Sequence, residues 1–327
     1  MFYMEIIGTS ILIVIFAFLI DSLLGDFLGR YHPVCLIALL INFLWEKIVT
    51  ISTSWGFNFL LEGNNFSGLA KFAGFLITII VVGVTFTLSY YLASMHFIID
   101  ILLIYFALSY KSLVEHLARV LCPLSHGDLI KAREELSKIV GRDVDYLEEA
   151  EIARGGIETS AESLCDGIIA PLFFAFIGGA PLVMSYKAVN TLDSMIGYNF
   201  YPYKDLGFAS AKLDDVLNLI PARLTAVFIL ITSLLTKKNF VKGLQVMRHD
   251  ASKHPSPNAG FSESVMAGIL NIKLGGVNYY SGNKSFRHYM NETGHSPDHL
   301  VLRQAINIVH LTAWIGLAIM ASLKYLL

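Results

Sequence analysis

Charged residues are scarce in this chain. Asp, Glu, Lys and Arg make up 15% of its 327 residues, whereas about 25% is usual for soluble domains. Hydrophobic residues make up 55%, and the mean hydropathy is +0.60. This composition excludes an ordinary soluble domain and is typical of an integral membrane protein. The net charge of -2 and the lack of any basic run argue against a nucleic-acid partner.

Cysteines are few, and the common catalytic motifs are missing. Cys35, Cys122 and Cys165 are far apart and form no CxxC motif. His126 follows Cys122 by four residues, but one such pair is a weak metal signal. We expect reduced thiols, which fits a location facing the cytoplasm. The sequence has no GxxxxGK[ST], no GxGxxG after a strand, no HExxH and no GxSxG, so no common nucleotide-binding or hydrolase fold is indicated.

Long apolar runs are abundant. A bilayer span takes roughly 20 apolar residues. The runs that qualify are Ile6–Leu24, Phe72–Tyr91 with Phe97–Leu108 as a tight helical hairpin, and Ile306–Leu323. The weaker runs, which are short spans, broken helices or interior helices, are Ile168–Val183 and Leu224–Leu235. We interpret Leu36–Val49 as an interfacial or partly buried helix.

These runs predict an all-α, polytopic integral membrane protein with about 4–6 membrane-embedded helices and polar, mostly helical connecting segments. We expect one domain over residues 1–327. The first run is interpreted as a span because Glu5 replaces the basic region of a signal peptide. Asp128–Val140 is predicted as a helix with Asp128 as N-cap and Gly141 as C-cap, and Tyr146–Cys165 as helical. No period-2 alternation predicts a strand.

The basic segments Lys111–Arg154 and Phe240–Arg303 are expected in the cytoplasm. If both weak runs cross the bilayer, Lys187–Ala222 lies outside. We favour the alternative in which neither crosses, because all polar segments then share the cytoplasmic side.

The first polar segment repeats a charge every fourth residue. Arg154, Glu158, Glu162 and Asp166 share one helix face. Such a face is either solvated, with Arg154 pairing Glu158, or a site for Mg²⁺ or a substrate amine. Ile168 and the apolar residues after it place this face at the membrane boundary, which favours the site.

The second polar segment combines acids, amides and cations. Its members are Lys187, Asn190, Asp193, Lys212, Asp214, Asp215, Asn218 and Arg223. Carboxylate and amide oxygens suit Mg²⁺, and the cations suit phosphate. The alternative is that the acids cap helices and Arg223 extends to the interface. Paired acids and an arginine occur together in a strongly apolar chain, which favours the interpretation as a binding site for metal and phosphate.

The third polar segment, His254–Gly260, reads HPSPNAG and cannot be helical, because two prolines force extended or turn backbone. We predict a helix from Ser262–Glu263 to Gly275–Gly276, whose N-terminus would favour an anion. The alternative is an ordinary capped surface turn. A smaller cluster, Asp21 to Asp26 with His32, is either interfacial or a further wall of the site.

A family resemblance covers almost the whole chain. It is carried by Leu24–Asp26, His32–Val34, Ser112–Leu113, His116, Val140–Asp143, Glu158, Ala161–Glu162, Asp166–Gly167, Ala170–Pro171, Asn190–Met195, Leu213–Asp215, Asn218, Pro221–Thr225, His254–Gly260, Leu274–Gly276 and Tyr279. In order and spacing these residues resemble the CobD/CbiB family of cobalamin biosynthesis, the adenosylcobinamide-phosphate synthases. Ser163 replaces an expected Asn, Lys212 replaces an expected Arg, and Asp26 lacks the Pro that often follows it.

The resemblance implies that adenosylcobyric acid, a corrinoid carboxylate, is joined by an amide bond to aminopropanol or its O-phosphate, with ATP and Mg²⁺. The product would be adenosylcobinamide or its phosphate. We assign catalytic roles to Asp214, Asp215, Arg223, His254 and Glu158. We assign substrate or phosphate binding to Asn190, Asp193, Lys187, Lys212, Asn218, Ser256, Asn258 and His32. We assign metal binding to Glu162, Asp166, Asp214 and Asp215.

The expected partners are the small-molecule substrates and the lipid bilayer, and not nucleic acid. A homo-oligomer or a complex with other cobalamin-assembly membrane proteins stays open. We expect a multi-pass protein of the cell membrane with its site facing the cytoplasm. The alternatives are a non-catalytic corrinoid-binding or transporting membrane protein, which the lack of inverted repeats disfavours, and a non-catalytic signalling relative, which the complete HPSPNAG disfavours.

Overall fold

The structure is a computed structural model that describes residues 2–26, 28–56, 67–198, 200 and 203–326. Helices predominate. They are α1 (Phe2–Leu24), α2 (Pro33–Ser54), α3 (Ser67–Met95), α4 (Phe97–Ala107), α5 (Tyr110–Ser125), α6 (Leu129–Ser137), α7 (Glu149–Leu164), α8 (Ala170–Ile196), α9 (Tyr203–Leu206), α10 (Phe208–Leu217), α11 (Leu219–Leu235), α12 (Phe240–Asp250), α13 (Ala259–Leu270) and α14 (His299–Leu326). One hairpin, β1 (Leu274–Tyr280) and β2 (Asn283–Met290), lies before α14. The predicted all-α membrane class is confirmed.

Five helical stretches within the described ranges are long and apolar enough to cross a membrane. They are Pro33–Ser54, Ser67–Met95, Phe97–Ser125, Glu149–Ile196 and His299–Leu326. A sixth results if α10 and α11, which are bent by 45°, count as one span. Leu36–Val49, expected at the interface, is part of the 22-residue α2, which buries only Ile37, Ile41 and Ser52. A lipid environment would cover its other apolar side chains.

The contacts divide the chain into two compact units. The first unit comprises Met1–Leu108, Pro171–Leu217 and Leu323–Leu327, and the second comprises Ser109–Ala170 and Asn218–Ser322. The expectation of one domain over the whole chain stays a prediction.

In the first unit, α3 packs closely on α9. A Cβ at Gly74 would lie 1.8 Å from the carbonyl oxygen of Leu206, so only glycine allows this approach. Within α8, Gly178 and Gly179 break the helix, so the broken helix, one of the alternatives left open for Ile168–Val183, is the one observed; Gly179 has φ +62°. The Asp100 carboxylate accepts a hydrogen bond from the Ala180 N–H at 3.0 Å, which satisfies an amide freed by the break.

In the second unit, α7 runs into a π-helical turn at Cys165–Ile169. The Gly167 carbonyl accepts hydrogen bonds from the Ser109 N–H at 3.0 Å and from the Ser109 hydroxyl at 3.2 Å. A hydrogen-bonding group inserted in this way widens a helical turn. Asp166 lies in this π-helical turn. The regular α-helical spacing of the charged residues before it therefore does not continue to Asp166.

The β-hairpin was not predicted. Its two-residue loop, Ser281–Gly282, has positive φ at both positions, as hairpin turns with the strands' twist require. Asp143 accepts hydrogen bonds from the Ser281 N–H at 3.0 Å and the Gly282 N–H at 2.8 Å. The predicted helix from Ser262–Glu263 to Gly275–Gly276 is therefore wrong at both ends. The helix begins at Ala259 and ends at Leu270, with Asn271 as a left-handed C-cap.

Two predictions of local structure are confirmed with different ends. Asp128 caps α6 by accepting from the Lys131 N–H at 3.0 Å. The helix stops at Ser137, before the expected Gly141. The helix predicted from Tyr146 begins at Glu149, where Glu148 and Glu151 form a capping box.

Candidate functional site

A buried acid–arginine cluster joins α7 to the hairpin in the second unit. Its members are Glu158, Arg142, Arg154 and Asn278. Glu158 is 4% exposed, and its Oε2 atom lies 2.6 Å from Arg142 Nη2. Its Oε1 atom accepts the Gly275 N–H at 2.8 Å and lies 3.8 Å from Arg154 Nη1. A carboxylate with this many partners is held in one orientation.

The arginines of the acid–arginine cluster are equally constrained. Arg154 donates to the carbonyl oxygens of Gly275 and Val277, the latter at 3.0 Å, and to Asn278 Oδ1 at 3.2 Å. Arg142 donates to the same Asn278 oxygen. The interpretation of Arg154 and Glu158 as a solvated face is therefore wrong, because both are buried. Glu162 is exposed and Asp166 is half-buried.

His254 and Glu263 form a second buried pair in this unit. The side chains are 6% and 2% exposed, and His254 Nε2 lies 3.6 Å from Glu263 Oε1. Neither atom has a hydrogen-bond partner within the described part of the chain. Buried polar atoms are rarely left unpaired, so this pair calls for an explanation.

Burial and nearby charges shift the pKa values of both His254 and Glu263. Burial, together with the nearby Arg287 guanidinium, lowers the pKa of His254 to about 4. Burial, together with the carboxylates of Glu158 and Glu162, raises the pKa of Glu263 well above its usual value. His254 is therefore neutral at neutral pH, and Glu263 holds a proton more readily than an exposed glutamate does.

The HPSPNAG segment is held in place by its own residues. The Ser256 hydroxyl accepts the N–H groups of Asn258 and Ala259, each at 3.2 Å. A Cβ at Gly260 would lie 2.2 Å from the Ala251 carbonyl oxygen and 2.7 Å from His254 Cβ. Gly260 thus allows a close approach to the protein's own backbone. Ser256 acts as a cap of α13, and its phosphate-binding role stays a prediction.

Arg223 lies against the same segment. Its guanidinium is 4.3 Å from the Phe261 ring centre, and Nη1 donates to the Leu219 carbonyl at 2.7 Å and to Asn258 Oδ1 at 3.3 Å. The structure therefore brings Arg223 and Asn258 together. Asn218, also in this unit, is buried and is the N-cap residue of α11.

The paired acids lie in the first unit, on α10. Asn190 on α8 donates to Asp214 Oδ1 at 3.5 Å. Asp215 pairs with Lys212 at 2.9 Å. The acids are half-buried, and so are the predicted partners Lys187 and Asp193. Asn190 on α8 and Asp214 on α10 are therefore neighbours.

His32 also lies in the first unit. Its Nδ1 atom accepts the Val34 N–H at 3.3 Å and caps α2, and its Nε2 atom is 3.5 Å from Asp26 Oδ1. The His32 ring packs edge-on against Phe106. That the candidate residues of the first and second units serve one catalytic site stays a prediction.

Metal ligands can be judged only by their chemistry. No group of three or more His, Cys, Asp or Glu side chains among the described residues is arranged to hold a metal ion. Mg²⁺ commonly uses one or two carboxylates and keeps waters and phosphate oxygens as its other ligands. The oxygens of Asp214 and Asn190 suit that use. The metal-binding roles of Glu162, Asp166, Asp214 and Asp215 stay predictions.

A cavity of about 810 Å³ lies elsewhere in the second unit, between α12 and β2. Lys242, Lys253, Phe286 and Tyr289 are among its lining residues, and none of the predicted site residues is. Its volume would accept a sizeable small molecule. Volume alone therefore does not locate the predicted site.

Comparison with known proteins decides the family. The family model described as CobD/Cbib protein matches residues 14–309, which is most of the chain. The chain belongs to the CobD/Cbib protein family. The match begins in α1 and ends in α14, so both units carry the family sequence. No solved structure matches the chain.

Relatives of the CobD/Cbib family are similar to this chain over nearly their full length. The protein named Cobalamin biosynthesis protein CobD of Clostridium perfringens is 42% identical over 82% of this chain and 84% of its own. The protein of that name from Halalkalibacterium halodurans is 40% identical, with 86% of each chain covered. That of Yersinia enterocolitica is 37% identical over 95% of this chain and 94% of its own. The family places the chain in cobalamin biosynthesis.

Four residues of this CobD/Cbib structure were missed as candidates for the site. They are Arg142, Glu263, Asn278 and Arg287. Arg142 and Glu263 lie in or beside motifs that were recognised, but Glu263 was interpreted only as the start of a helix. Asn278 and Arg287 lie on the β-hairpin, and no local sequence pattern predicted that hairpin. A charged or amide residue in an otherwise apolar chain was the only available signal.

Proposed function

We propose that this chain is an ATP-dependent amide ligase that joins the carboxylate of adenosylcobyric acid to aminopropanol or its O-phosphate, giving adenosylcobinamide or its phosphate. The family supports the pathway. The observation that carries the reaction type is the buried acid–arginine cluster beside the unpaired His254 and Glu263. Buried charge in a membrane protein is costly, and here it is concentrated around one unpaired polar pair.

The reaction needs an activated acid, because a carboxylate and an ammonium form a salt in water rather than an amide. In the proposed reaction the corrinoid carboxylate oxygen attacks the terminal phosphorus of ATP, and ADP leaves. The amine then attacks the acyl carbon, and phosphate leaves. Cations must stabilise the phosphoryl group, and a base must free the amine.

The second unit offers cations for anionic groups. Arg142 and Arg154 are fixed by Glu158 and Asn278, so their guanidinium groups hold their orientation without a ligand. Arg223 is oriented by the Phe261 ring and the Leu219 carbonyl. Groups that need no reorganisation stabilise developing charge most effectively.

The first unit offers the oxygen ligands. Asp214 with Asn190 would hold Mg²⁺, which when bound would supply positive charge to offset that of the phosphate groups. Lys212 balances the charge of the adjacent Asp215. These residues bind and orient the nucleotide phosphates in our proposal.

The test is a reconstituted reaction. Protein purified in detergent is given adenosylcobyric acid, Mg-ATP and aminopropanol O-phosphate, and products are identified by mass spectrometry. We expect a new amide and one ADP for each amide formed. Corrinoid binding without ADP or amide would instead support the non-catalytic binding or transport alternative.

We further propose a multi-pass location in the cell membrane with the site on the cytoplasmic side. In a Cys122→Ser background, Tyr146→Cys and Ser194→Cys place exposed thiols in the two units; Tyr146 is 92% exposed. An impermeant maleimide should label both in inverted vesicles and neither in intact cells. Opposite labelling of the two positions would contradict a one-sided site. Sizing of the detergent complex tests for a homo-oligomer, and co-purification tests for a complex with other cobalamin-assembly proteins.

A further inference from the structure

Glu263 is a buried carboxylate with an unused oxygen. It is 1% exposed, and its Oε1 atom has no hydrogen-bond partner within the described ranges. Removing such a group from water without a partner is unfavourable, and an apolar or amide side chain would serve stability better. Stability therefore does not explain Glu263.

His254 points a second acceptor at the same place. Its Nδ1 atom lies 3.2 Å from the Ser256 carbonyl oxygen and donates to it when the neutral ring carries its hydrogen on Nδ1, which leaves a lone pair on Nε2. That Nε2 atom is 3.6 Å from Glu263 Oε1 and also has no partner in the described structure. A small group with two donors could lie about 2.8 Å from each atom.

The charge at this place favours a cation. Burial raises the pKa of Glu263, the carboxylates of Glu158 and Glu162 raise it further, and Arg287 and Arg142 oppose them only in part. The Glu263 carboxylate would be stabilised by a bound ammonium and destabilised by a bound phosphate or carboxylate.

We propose that Glu263 and His254 bind the amino group of the amine substrate, and that Glu263 accepts its proton. This proposal rests on the proposed ligase function. Glu263 Oε1 takes one proton from the ammonium. The freed nitrogen lone pair forms the C–N bond at the acyl carbon, the C–O bond to phosphate breaks, and the second nitrogen proton leaves with the phosphate. His254, assigned a catalytic role from the sequence, accepts a second N–H of the amino group at Nε2 and orients the nitrogen.

Amine binding is the first test. Isothermal titration of aminopropanol O-phosphate into the detergent-purified protein, without ATP or corrinoid, gives the affinity of the amine alone. Glu263→Gln should weaken binding about 10- to 100-fold, since one charge-assisted contact is lost. Glu134→Gln, an exposed carboxylate on α6, is the matched control and should bind as wild type does. Equal affinity of wild type and Glu263→Gln would overturn the proposal.

Hydroxylamine separates the proton-accepting role from a structural one. It is largely unprotonated at neutral pH and attacks activated acyl groups without a base. Glu263→Gln should lose about a hundredfold or more in amide formation with aminopropanol O-phosphate but form corrinoid hydroxamate within a few-fold of wild type. Equal losses with both nucleophiles would show that Glu263 is not the proton acceptor. Glu263→Asp should recover part of the amide formation.

The two proposals fail differently. If wild type binds the amine, and Glu263→Gln does not, but no amide or hydroxamate forms with ATP and corrinoid, the ligase function is wrong and the ammonium site stands. If amide forms equally in wild type and Glu263→Gln, the ligase function stands and the ammonium site is wrong. Glu263→Gln should melt at or above the wild-type temperature, so a folding defect will not confuse these outcomes.

Discussion

Glu158 and Asp214 are both acids of recognised motifs, yet their surroundings differ. Glu158 is buried and bonded through both oxygens to Arg142 and to the Gly275 amide. Asp214 is half-buried and accepts a hydrogen bond from Asn190 at 3.5 Å. The first carboxylate is part of how the second unit holds together, whereas the second lies in a more open setting. A functional motif therefore does not by itself say whether its acid serves stability or chemistry.

Glu158→Ala tests the structural side of this comparison and should have the largest effect. It leaves Arg142 and the Gly275 amide without their buried partner, so we expect a loss of about 3–5 kcal/mol in the free energy of unfolding. Denaturant unfolding in detergent measures it. Glu134→Ala, an exposed acid, should change stability by less than about 0.5 kcal/mol. A loss below about 1 kcal/mol for Glu158→Ala would show that the cluster is not structural.

Asp214→Asn tests the chemical side. The charge is removed and the shape kept, so we expect unfolding to change by less than about 1 kcal/mol. Amide formation should fall by about a hundredfold or more, because a charged ligand for the proposed metal–phosphate group is lost. Product yield per folded protein is the measurement. Wild-type turnover in Asp214→Asn would remove Asp214 from the mechanism.

Acid should weaken the second unit through His254. The ordinary pKa of 6.5 falls to about 4 in the folded protein, chiefly because of burial. Between these values the unfolded chain binds a proton that the folded protein does not, so stability is lost as pH falls, by at most about 1.4 kcal/mol per pH unit. The raised pKa of Glu263 has the opposite effect, because its contribution to stability increases as pH falls.

The pH effect of His254 is read as a difference between melting curves. Glu263 is retained in both proteins, so the wild type should lose more stability than His254→Gln between pH 6.5 and 4. His126→Gln, an exposed histidine, should follow the wild type. Parallel curves for wild type and His254→Gln would contradict the burial of a neutral ring.

Lys212→Met should have the smallest effect on stability. Its ammonium pairs with Asp215 at 2.9 Å, but the lysine side chain is 64% exposed. Exposed pairs contribute about 0.2–1 kcal/mol at most, so we expect a change below about 0.5 kcal/mol. Thermal melting against wild type measures it. A larger loss would mean that α10 relies on this pair more than its exposure implies.

Much of the fold could be predicted from the sequence, because the length of an apolar run directly indicates a membrane-spanning helix. The spans at Phe72–Tyr91 and Ile306–Leu323 lie within long helices, and the break at Gly178–Gly179 matches one of the alternatives left open for Ile168–Val183. The hairpin could not be predicted in the same way. Its strands bury residues against α7 and α13 on an irregular pattern that begins with a bulge near Leu274.

The sequence motifs supplied candidate site residues, but they did not indicate which distant residues contact them. Arg223 and Asn258 meet as expected from their segments. Arg287 acts on His254 and Glu263 from a strand that no local pattern announced. Contacts between distant segments depend on tertiary packing, which periodicity and capping do not encode.

The bonds from α7 to the hairpin have a consequence for sequence drift. Glu158 and Arg154 contact main-chain atoms of Gly275, and Arg154 also contacts the main chain of Val277. A backbone partner keeps its hydrogen-bonding atoms whatever side chain it carries, so position 277 can vary without any compensating change at 154. Covariation among homologues would therefore miss these main-chain contacts, although they join residues more than a hundred positions apart. Gly275, at φ +81°, would register in another way, as a position that stays glycine while its partners stay acid and arginine.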